Sequence, residues 1–246
     1  MDARTAFDRD DVGVGERVAA QDWDAARAEL DARGWKVLPR LLSTSECVAL
    51  TALYDRDEAF RSRVVMARHG YGRGEYRYFC YPLPSLVQGL RTELYPRLVS
   101  TANSSYERMG LEPRFGASHP EFLARCHEAG QARPTPLLLR YGAGDYNCLH
   151  QDLYGEHVFP LQVATLLSEP GRGFTGGELM LTEQRPRAQS RATVVPLGQG
   201  DALIFAVNQR PVRGLRGDHR VTMRHGVSEI RSGSRHTLGL IFHDAA

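Results

Sequence analysis

The second half of the chain is divided into many short segments of strand character, and this division restricts the possible folds more than any other feature. From Pro136 onward, apolar and β-branched runs alternate with turns that contain glycine or proline. The segments predicted to be strands are 137–141, 148–153, 159–167, 178–182, 193–196, 202–207, 221–228 and 236–242. So many short strands without intervening helices predict a jelly roll of two sheets or a related barrel.

The first half of the chain has helical patterns instead. Apolar residues at helical spacing predict a helix over about 17–33, and Gly34 ends it. Ser43-x-x-Glu46 is a capping box that starts another helix. Further elements are predicted as a strand over 35–39, a helix over 85–108 with a kink or split at Pro96, and a helix over 120–128.

The expected fold class is α+β, mainly β in its C-terminal part. It is a double-stranded β-helix of the jelly-roll or cupin-like kind, backed by N-terminal helices. One domain is expected over 17–246, with helical support and a lid over 17–135 and the jelly-roll core over 136–246. The polar residues 1–16 are expected to form a flexible arm. The lack of βαβ alternation and of a glycine-rich phosphate loop argues against nucleotide-binding folds.

Composition gives no sign of a membrane span or a secretory signal. No apolar run approaches the roughly 20 residues of a spanning helix, and residues 1–10 contain no apolar run of the kind found in a signal peptide. The four cysteines are widely spaced, which predicts reduced thiols rather than a disulfide framework. A cytoplasmic location is therefore expected.

Arginine is concentrated late in the chain. Between Arg185 and Arg235 there are ten arginines and three acidic residues. This surplus could face an anionic substrate, or it could lie on the solvated side of a sheet. The overall net charge of +2 does not by itself predict nucleic-acid binding.

A glycine-rich loop, Gly70–Gly74, lies between strands predicted at 64–66 and 75–80. Loops of this kind often cover a site, although an ordinary hairpin connection is an equal alternative. If the loop covers a site, the candidates for contact with a substrate are Arg68, Arg73, Tyr76 and Tyr78.

A His-x-Asp pair, His150 and Asp152, follows the first of the C-terminal strands. Residues two apart share one face of a strand, so the imidazole and the carboxylate can converge on one ion. Such pairs are common on protein surfaces, and the interpretation as a metal site therefore depends on a third ligand. Cys148 is a weaker candidate, because a cysteine at this offset is more typical of a core residue.

His225 is the preferred third ligand. Two histidines and one carboxylate on one face of an octahedron leave three positions open, which suits Fe(II). Arg235 follows His225 ten residues later across a Ser-Gly turn, where a guanidinium can hold a carboxylate with two hydrogen bonds. His219 competes for the role, but Gly217-Asp218 places it in a turn. His236 is expected on the strand face opposite Arg235.

Together, His150, Asp152, His225 and Arg235 resemble the His-x-Asp…His…Arg pattern of the Fe(II)/2-oxoglutarate-dependent oxygenase superfamily. In prolyl-hydroxylase-like and AlkB-like members a tyrosine nine residues before the first ligand often contacts oxoglutarate, and Tyr141 has this position. The segment 150–162 further resembles a bacterial oxygenase family predicted to act on alkylated nucleic acid.

The resemblance implies that His150, Asp152 and His225 hold Fe(II), while Arg235 and Tyr141 bind the co-substrate 2-oxoglutarate and O2 is the oxidant. The expected reaction is hydroxylation, which on an N-methyl group of an alkylated nucleobase would end in demethylation. Two alternatives stay open. One is hydroxylation of a free amino acid, small metabolite or protein side chain, and the other is a cupin-like metal-binding protein without turnover. The sequence fixes neither the substrate nor the oligomeric state.

Overall fold

The structure is a computed structural model that describes residues 13–112, 115–215 and 217–246. Its helices are α1 Val14–Ala19, α2 Trp23–Arg33, α3 Thr44–Leu53, α4 Ser85–Met109 and α5 His119–Glu128. Its strands are β1 Trp35–Leu38, β2 Phe60–Val65, β3 Gly72–Arg73, β4 Glu75–Phe79, β5 Leu137–Tyr141, β6 Tyr146–His150, β7 Leu161–Leu166, β8 Phe174–Gly176, β9 Leu179–Gln184, β10 Ser190–Val195, β11 Ala202–Ala206, β12 Gln209–Gly214, β13 Gly217–Val227, β14 Ile230–Gly233 and β15 Arg235–Leu240.

Two helix predictions need correction. The helix predicted over 17–33 is two helices, because the side chain of Asp22 accepts a hydrogen bond from the Ala25 N–H and begins α2 there. Helix α1 starts at Val14, inside the stretch predicted as a flexible arm, and residues 1–12 of that arm lie outside the described residues. Helix α4 runs through Pro96, so the predicted split there is wrong while the kink stays a prediction; Pro96 lies on the exposed side of the helix and the neighbouring Tyr95 is fully buried.

The capping box at Ser43 and Glu46 forms as predicted. The Ser43 hydroxyl accepts from the Glu46 N–H, and the Glu46 carboxylate accepts from the Ser43 N–H. Helix α3 therefore starts at Thr44. Within the described residues, no helix combines the length and apolar character needed to cross a membrane.

Most of the strands form two antiparallel sheets. The major sheet has seven strands in the order β1-β11-β7-β15-β5-β4-β2. The minor sheet has six strands, in the order β10-β9-β13-β6-β3 with β12 paired to β13. A separate pair, β14 and β8, adjoins them. This arrangement confirms the predicted class of a jelly roll backed by helices.

Alternation along each major-sheet strand separates a helix-facing side from an inner side. Leu238 and Leu240 of β15 belong to the main hydrophobic core together with Leu90 and Leu94 of α4, so they lie on the side of the sheet that faces the helices. Phe205 of β11 packs instead against minor-sheet leucines across the interior. Residues two apart share a face, so the strand registers decide which side chains enter the space between the sheets.

Four of the described strands were not predicted: β3, which lies in the predicted glycine-rich loop, β8, β12 and β14. The segment predicted as 148–153 is a strand only over Tyr146–His150. Besides β1, three strands come from the N-terminal half of the chain: β2 and β4 extend the major sheet, and β3 forms the edge of the minor sheet beside β6. The stretch predicted as helical support and lid therefore also supplies strands.

Candidate metal centre

Three side chains able to hold a metal ion come together on two paired strands. His150 ends β6, His225 lies in β13, and the two are direct partners across the antiparallel pair. Asp152 lies just beyond β6. The Nε2 atom of His150 is 3.5 Å from Asp152 Oδ1, and Nε2 of His225 is 3.3 Å from Asp152 Oδ2. The structure thus brings together the three residues predicted as ligands.

The donor set fits an ion that keeps open positions. The ligand atoms of the three residues lie within 4.8 Å of one another. Neighbouring ligands of an octahedral ion are about 3 Å apart when the bonds are about 2.1 Å long. Two imidazoles and one carboxylate form the facial set of non-haem Fe(II) oxygenases.

A backbone contact orients the first imidazole. The carbonyl oxygen of Cys148 accepts a hydrogen bond from Nδ1 of His150 at 2.8 Å. Nδ1 therefore carries a proton, and Nε2, which lies on the side of Asp152 and His225, is the atom that can bind a metal once its own proton is lost. The thiol of Cys148 is exposed. Cys148 thus supports the centre through its backbone rather than as a ligand.

Burial and mutual contact set the protonation of the three groups. Burial alone would raise the pKa of Asp152, but hydrogen bonds from His150 and His225 outweigh it and hold that pKa well below its usual range. Burial lowers the pKa of His150, yet contact with Asp152 overcomes this and raises it. Burial lowers the pKa of His225. An ionised carboxylate and a neutral imidazole are the forms that bind metals.

The competing histidine, His219, lies elsewhere. It pairs with Val212 near the turn of the β12–β13 hairpin, six residues before His225 on the same strand. His236 lies on the outer face of the major sheet as predicted, with its ring 5.9 Å from that of Tyr54.

Arg235 is buried without an acidic partner. It is 2 % exposed, and its Nη1 donates to the hydroxyl of Thr237 at 2.6 Å. Its Nε has no hydrogen-bond partner, and among the described residues no carboxylate forms an ion pair with it. Burial lowers the pKa of Arg235 to about 10, so the guanidinium stays charged at neutral pH. A buried cation of this kind is a site for an anion.

Tyr141, the other residue expected to bind oxoglutarate, lies beside Arg235. The two residues are partners in the β5–β15 pair, and the guanidinium carbon is 5.8 Å from the centre of the Tyr141 ring. The phenol is completely buried, and its oxygen accepts a hydrogen bond from the Asn147 side chain. Tyr141 thus forms one wall next to the guanidinium.

A cavity of about 250 Å³ includes both the triad and Arg235. Its remaining walls are mostly apolar and come from the inner faces of both sheets, including Leu139, Leu179, Phe205 and Val227. The Phe205 ring is 4.7 Å from the His225 ring. Gln162 also lines the cavity, and its buried side-chain Nε2 has no partner.

The predicted substrate contacts divide into two groups. Tyr76 lines the cavity. Tyr78 is buried beside it and donates to the hydroxyl of Tyr154 rather than lining the cavity wall. Arg68 and Arg73 are exposed and are absent from the cavity wall, where Tyr71 of the same loop is found instead.

Sequence reasoning missed several cavity residues, and Tyr154 is the most informative. Its hydroxyl donates to Asp152 Oδ1 at 2.9 Å. The available signal was its place two residues after Asp152, the same spacing that joins His150 to Asp152. Thr237, two residues after Arg235, was missed in the same way.

The late arginines do not form one surface. Arg210 is buried and pairs with Glu183 at 2.5 Å, while Arg231 pairs with Glu178 at 2.9 Å at the surface. Arg235 lies inside the cavity, and Arg216 is outside the described residues. Several of these charges therefore have local structural partners.

Comparison with known proteins gives consistent results. Residues 74–245 match the family model Oxygenase-NA, described as an oxygenase catalysing oxidative methylation of damaged DNA. Two proteins of Mycobacterium tuberculosis, both named as uncharacterized, are each 51% identical over 168 residues, which is 68% of this chain and 72% of theirs.

Solved structures share the fold at low sequence identity. A Pseudomonas putida prolyl-4-hydroxylase has a TM-score of 0.55 and 16% identity, with 91% of this chain and 99% of that chain covered. An oxidoreductase of the 2OG-Fe(II) oxygenase family from Burkholderia pseudomallei has a TM-score of 0.52 and 16% identity, with 92% and 94% covered. The jelly roll and the predicted superfamily are confirmed, and the chain belongs to the Oxygenase-NA family of enzymes.

Proposed function

We propose that this protein is an Fe(II)- and 2-oxoglutarate-dependent oxygenase that oxidises a methyl group on a damaged nucleobase. The observation that carries the proposal is Arg235, a buried cation without a carboxylate partner in the same cavity as a His-Asp-His triad. A protein that only binds a metal has no need for such a cation. A dicarboxylate bound between the triad and Arg235 would contact the metal ion at one end and pair with the guanidinium at the other.

The residues divide the binding task between them. His150, Asp152 and His225 hold the iron, and the three positions left open admit a chelating co-substrate and dioxygen. Arg235 binds the distant carboxylate of oxoglutarate with paired N–H groups. The Thr237 hydroxyl, which accepts from Nη1, fixes the plane of the guanidinium.

Bound iron supplies the means to use dioxygen, so that oxoglutarate becomes succinate and carbon dioxide while one oxygen atom enters a substrate C–H bond. The apolar walls around Phe205, Leu179 and Val227 limit the water near the ion, which protects the reaction from unproductive oxidation. Hydroxylation of an N-methyl group gives a carbinol that releases formaldehyde and leaves the demethylated base.

The nucleobase proposal rests on the family description and on the aromatic side chains of the cavity. Tyr71, Tyr76 and Tyr154 line it, and Tyr71 is 51 % exposed to solvent. Enzymes that act on a base take it out of the stack and hold it against aromatic or apolar side chains. Gln162 adds an amide able to donate to a base acceptor.

The test is succinate formation after anaerobic loading with Fe(II) and oxoglutarate. Air is then admitted in the presence of N-methylated single-stranded oligonucleotides, unmethylated oligonucleotides, or pools of amino acids and proline peptides. We expect succinate and formaldehyde in equal amounts with the methylated oligonucleotides. The His225→Ala variant, which lacks one ligand, should form neither.

The other arms have defined meanings. Succinate that rises only with amino acids or peptides would replace the nucleobase with that substrate and leave the iron chemistry in place. Absence of oxoglutarate binding by the iron-loaded protein would overturn the proposed function altogether.

A further inference from the structure

The Tyr154 hydroxyl forms a hydrogen bond with one oxygen of the Asp152 carboxylate, although Tyr154 lies outside any strand or helix. The hydroxyl donates to Asp152 Oδ1 at 2.9 Å, and Nε2 of His150 lies 3.5 Å from the same oxygen, while Oδ2 lies 3.3 Å from Nε2 of His225. A carboxylate with one oxygen engaged in this way has the other oxygen left for an ion. Hydrogen bonds to the side chains that bind a metal orient those side chains and change the affinity of the site for the ion.

A second tyrosine supports the first. The Tyr78 hydroxyl donates to the Tyr154 hydroxyl at 3.0 Å, which leaves the Tyr154 proton directed to Asp152. Tyr78 is 8 % exposed, and the guanidinium of Arg61 lies 4.5 Å from the centre of its ring. Donors arranged in sequence polarise one another, so Tyr78 strengthens the hydrogen bond to Asp152.

The backbone around Tyr154 is also fastened. The buried side chain of Gln131 donates to the carbonyl oxygen of Tyr154 at 3.0 Å and accepts from the His157 N–H at 2.7 Å. Gly155 is packed so closely that an added Cβ would lie 2.4 Å from Gln131 Cδ. The segment after Asp152 therefore has a defined path although it has no regular secondary structure.

We infer that Tyr154 is a positioning residue that holds Asp152 as a single-oxygen ligand, with Tyr78 as its support. This inference rests on the proposed function, because it assigns a role relative to the bound ion. A carboxylate that used both oxygens would take one of the three positions needed for oxoglutarate and dioxygen. The tyrosine pair thus preserves an open coordination site.

The test compares three Tyr→Phe variants in the full-length, metal-free protein by calorimetric titration with Co(II), followed by oxoglutarate. Tyr154→Phe should weaken Co(II) binding about tenfold or more, within the range for contacts to a ligating carboxylate. It should also weaken the later binding of oxoglutarate and alter the visible Co(II) spectrum. Tyr78→Phe should have a smaller effect of the same sign. Tyr146→Phe, a matched loss of a hydroxyl on β6, should resemble the wild type.

The outcomes separate the two proposals. If the wild type binds neither Co(II) nor oxoglutarate, the proposed function and this inference both fail. If the wild type binds both and Tyr154→Phe matches Tyr146→Phe, the inference alone is overturned. Circular dichroism checks folding, and if Tyr154→Phe does not fold, equality of Tyr78→Phe with Tyr146→Phe overturns the inference.

Discussion

Burial of Arg235 is unfavourable for the protein in the absence of a ligand. A charge taken out of water without an ionic partner destabilises the folded state, and Thr237 supplies a neutral hydroxyl rather than an opposite charge. The Arg235 side chain therefore lowers the stability of the ligand-free protein and at the same time provides a binding site for an anion. Functional sites commonly show this opposition between stability and activity.

Replacement of Arg235 by Met should change stability and binding in opposite directions. The metal-free variant should gain about 1 kcal/mol or more in free energy of unfolding, because an apolar chain of similar length replaces a desolvated charge. Its KM for oxoglutarate should rise about 30-fold or more, as expected when a buried charged hydrogen bond is lost. Urea denaturation and initial rates measure the two quantities.

The exposed Arg213→Met is the matched control and should change neither quantity. A large loss of stability in Arg235→Met would contradict the prediction, since it would show that the guanidinium is a structural group.

The paired strands β6 and β13 hold the two histidines, and their separation depends on a glycine. An added Cβ at Gly226 would lie 2.8 Å from the Asn147 carbonyl oxygen and 3.3 Å from the Cys148 carbonyl oxygen. Both neighbours are backbone atoms of β6, and they cannot move away as a flexible side chain can.

Gly226→Ala should therefore displace β13 from β6 next to His225. We expect Co(II) affinity to fall by about tenfold or more and stability by about 1–3 kcal/mol, the usual cost of overpacking. Isothermal titration of the metal-free protein measures the affinity. Gly13→Ala, where an added Cβ would have no neighbour within 4 Å, is the control. An unchanged affinity would show that the strand pair can relax.

At the scale of single strands, the sequence predicted those strands whose bounds follow from a local pattern of apolar residues and turns. Strand β5 was predicted at its observed bounds, Leu137–Tyr141, because apolar residues there continue into a glycine turn. The strand β12 was missed because it contains Pro211, which interrupts a strand pattern. Proline is tolerated there because, among the described strands, β12 pairs with β13 alone and is an edge strand.

The candidate site likewise contains some residues that the sequence predicts and others that it does not. The spacing of two residues joined His150 to Asp152, and Arg235 ten residues after His225 selected the third ligand, so the triad could be proposed before the fold was known. Tyr154 was missed although it lies two residues after Asp152, because the chain beyond β6 is irregular there and contacts such as that of Gln131 with the Tyr154 carbonyl oxygen fix its path. Contacts between irregular segments have no periodicity in the sequence.

For the whole molecule, a buried ion pair joins the helical layer to the end of the chain. Arg91 of α4 and Asp244 are both 0% exposed and 2.7 Å apart, and Arg91 also donates to the carbonyl oxygens of Ile241 and His243. Asp244 accepts further hydrogen bonds from Tyr81 and His127.

Arg91→Met should lower the free energy of unfolding by about 3–5 kcal/mol, because Asp244 stays buried without its main partner. Urea denaturation measures the change. The double variant Arg91→Met/Asp244→Asn should recover part of the loss. A single-variant effect below about 1 kcal/mol would be inconsistent with this role.

Stability should also depend on pH through the buried His119 and His243 and the half-buried His236. Burial lowers the pKa values of His119, His236 and His243 to about 4. In the unfolded chain these groups titrate near their ordinary value of about 6.5, so the unfolded state binds more protons between pH 6.5 and 4. Stability is therefore fully present above pH 6.5 and falls as the pH is lowered towards 4.

Urea denaturation of the metal-free protein at several pH values tests this dependence. His119→Gln, which keeps a donor for the Phe242 carbonyl oxygen, should reduce the slope between pH 6.5 and 4. The exposed His69→Gln should leave it unchanged. Equal slopes in wild type and His119→Gln would contradict the prediction.

The register of β15 against β5 has a consequence for how this chain can vary in length. Tyr141 faces Arg235 and His236 faces Arg140, so adjacent positions of β15 belong to opposite sides of the sheet. Insertion or deletion of one residue within β15 would turn the guanidinium towards α3 and bring an imidazole into the cavity. Length changes between homologues should therefore be confined to turns, such as 185–189 between β9 and β10, where they leave both registers intact.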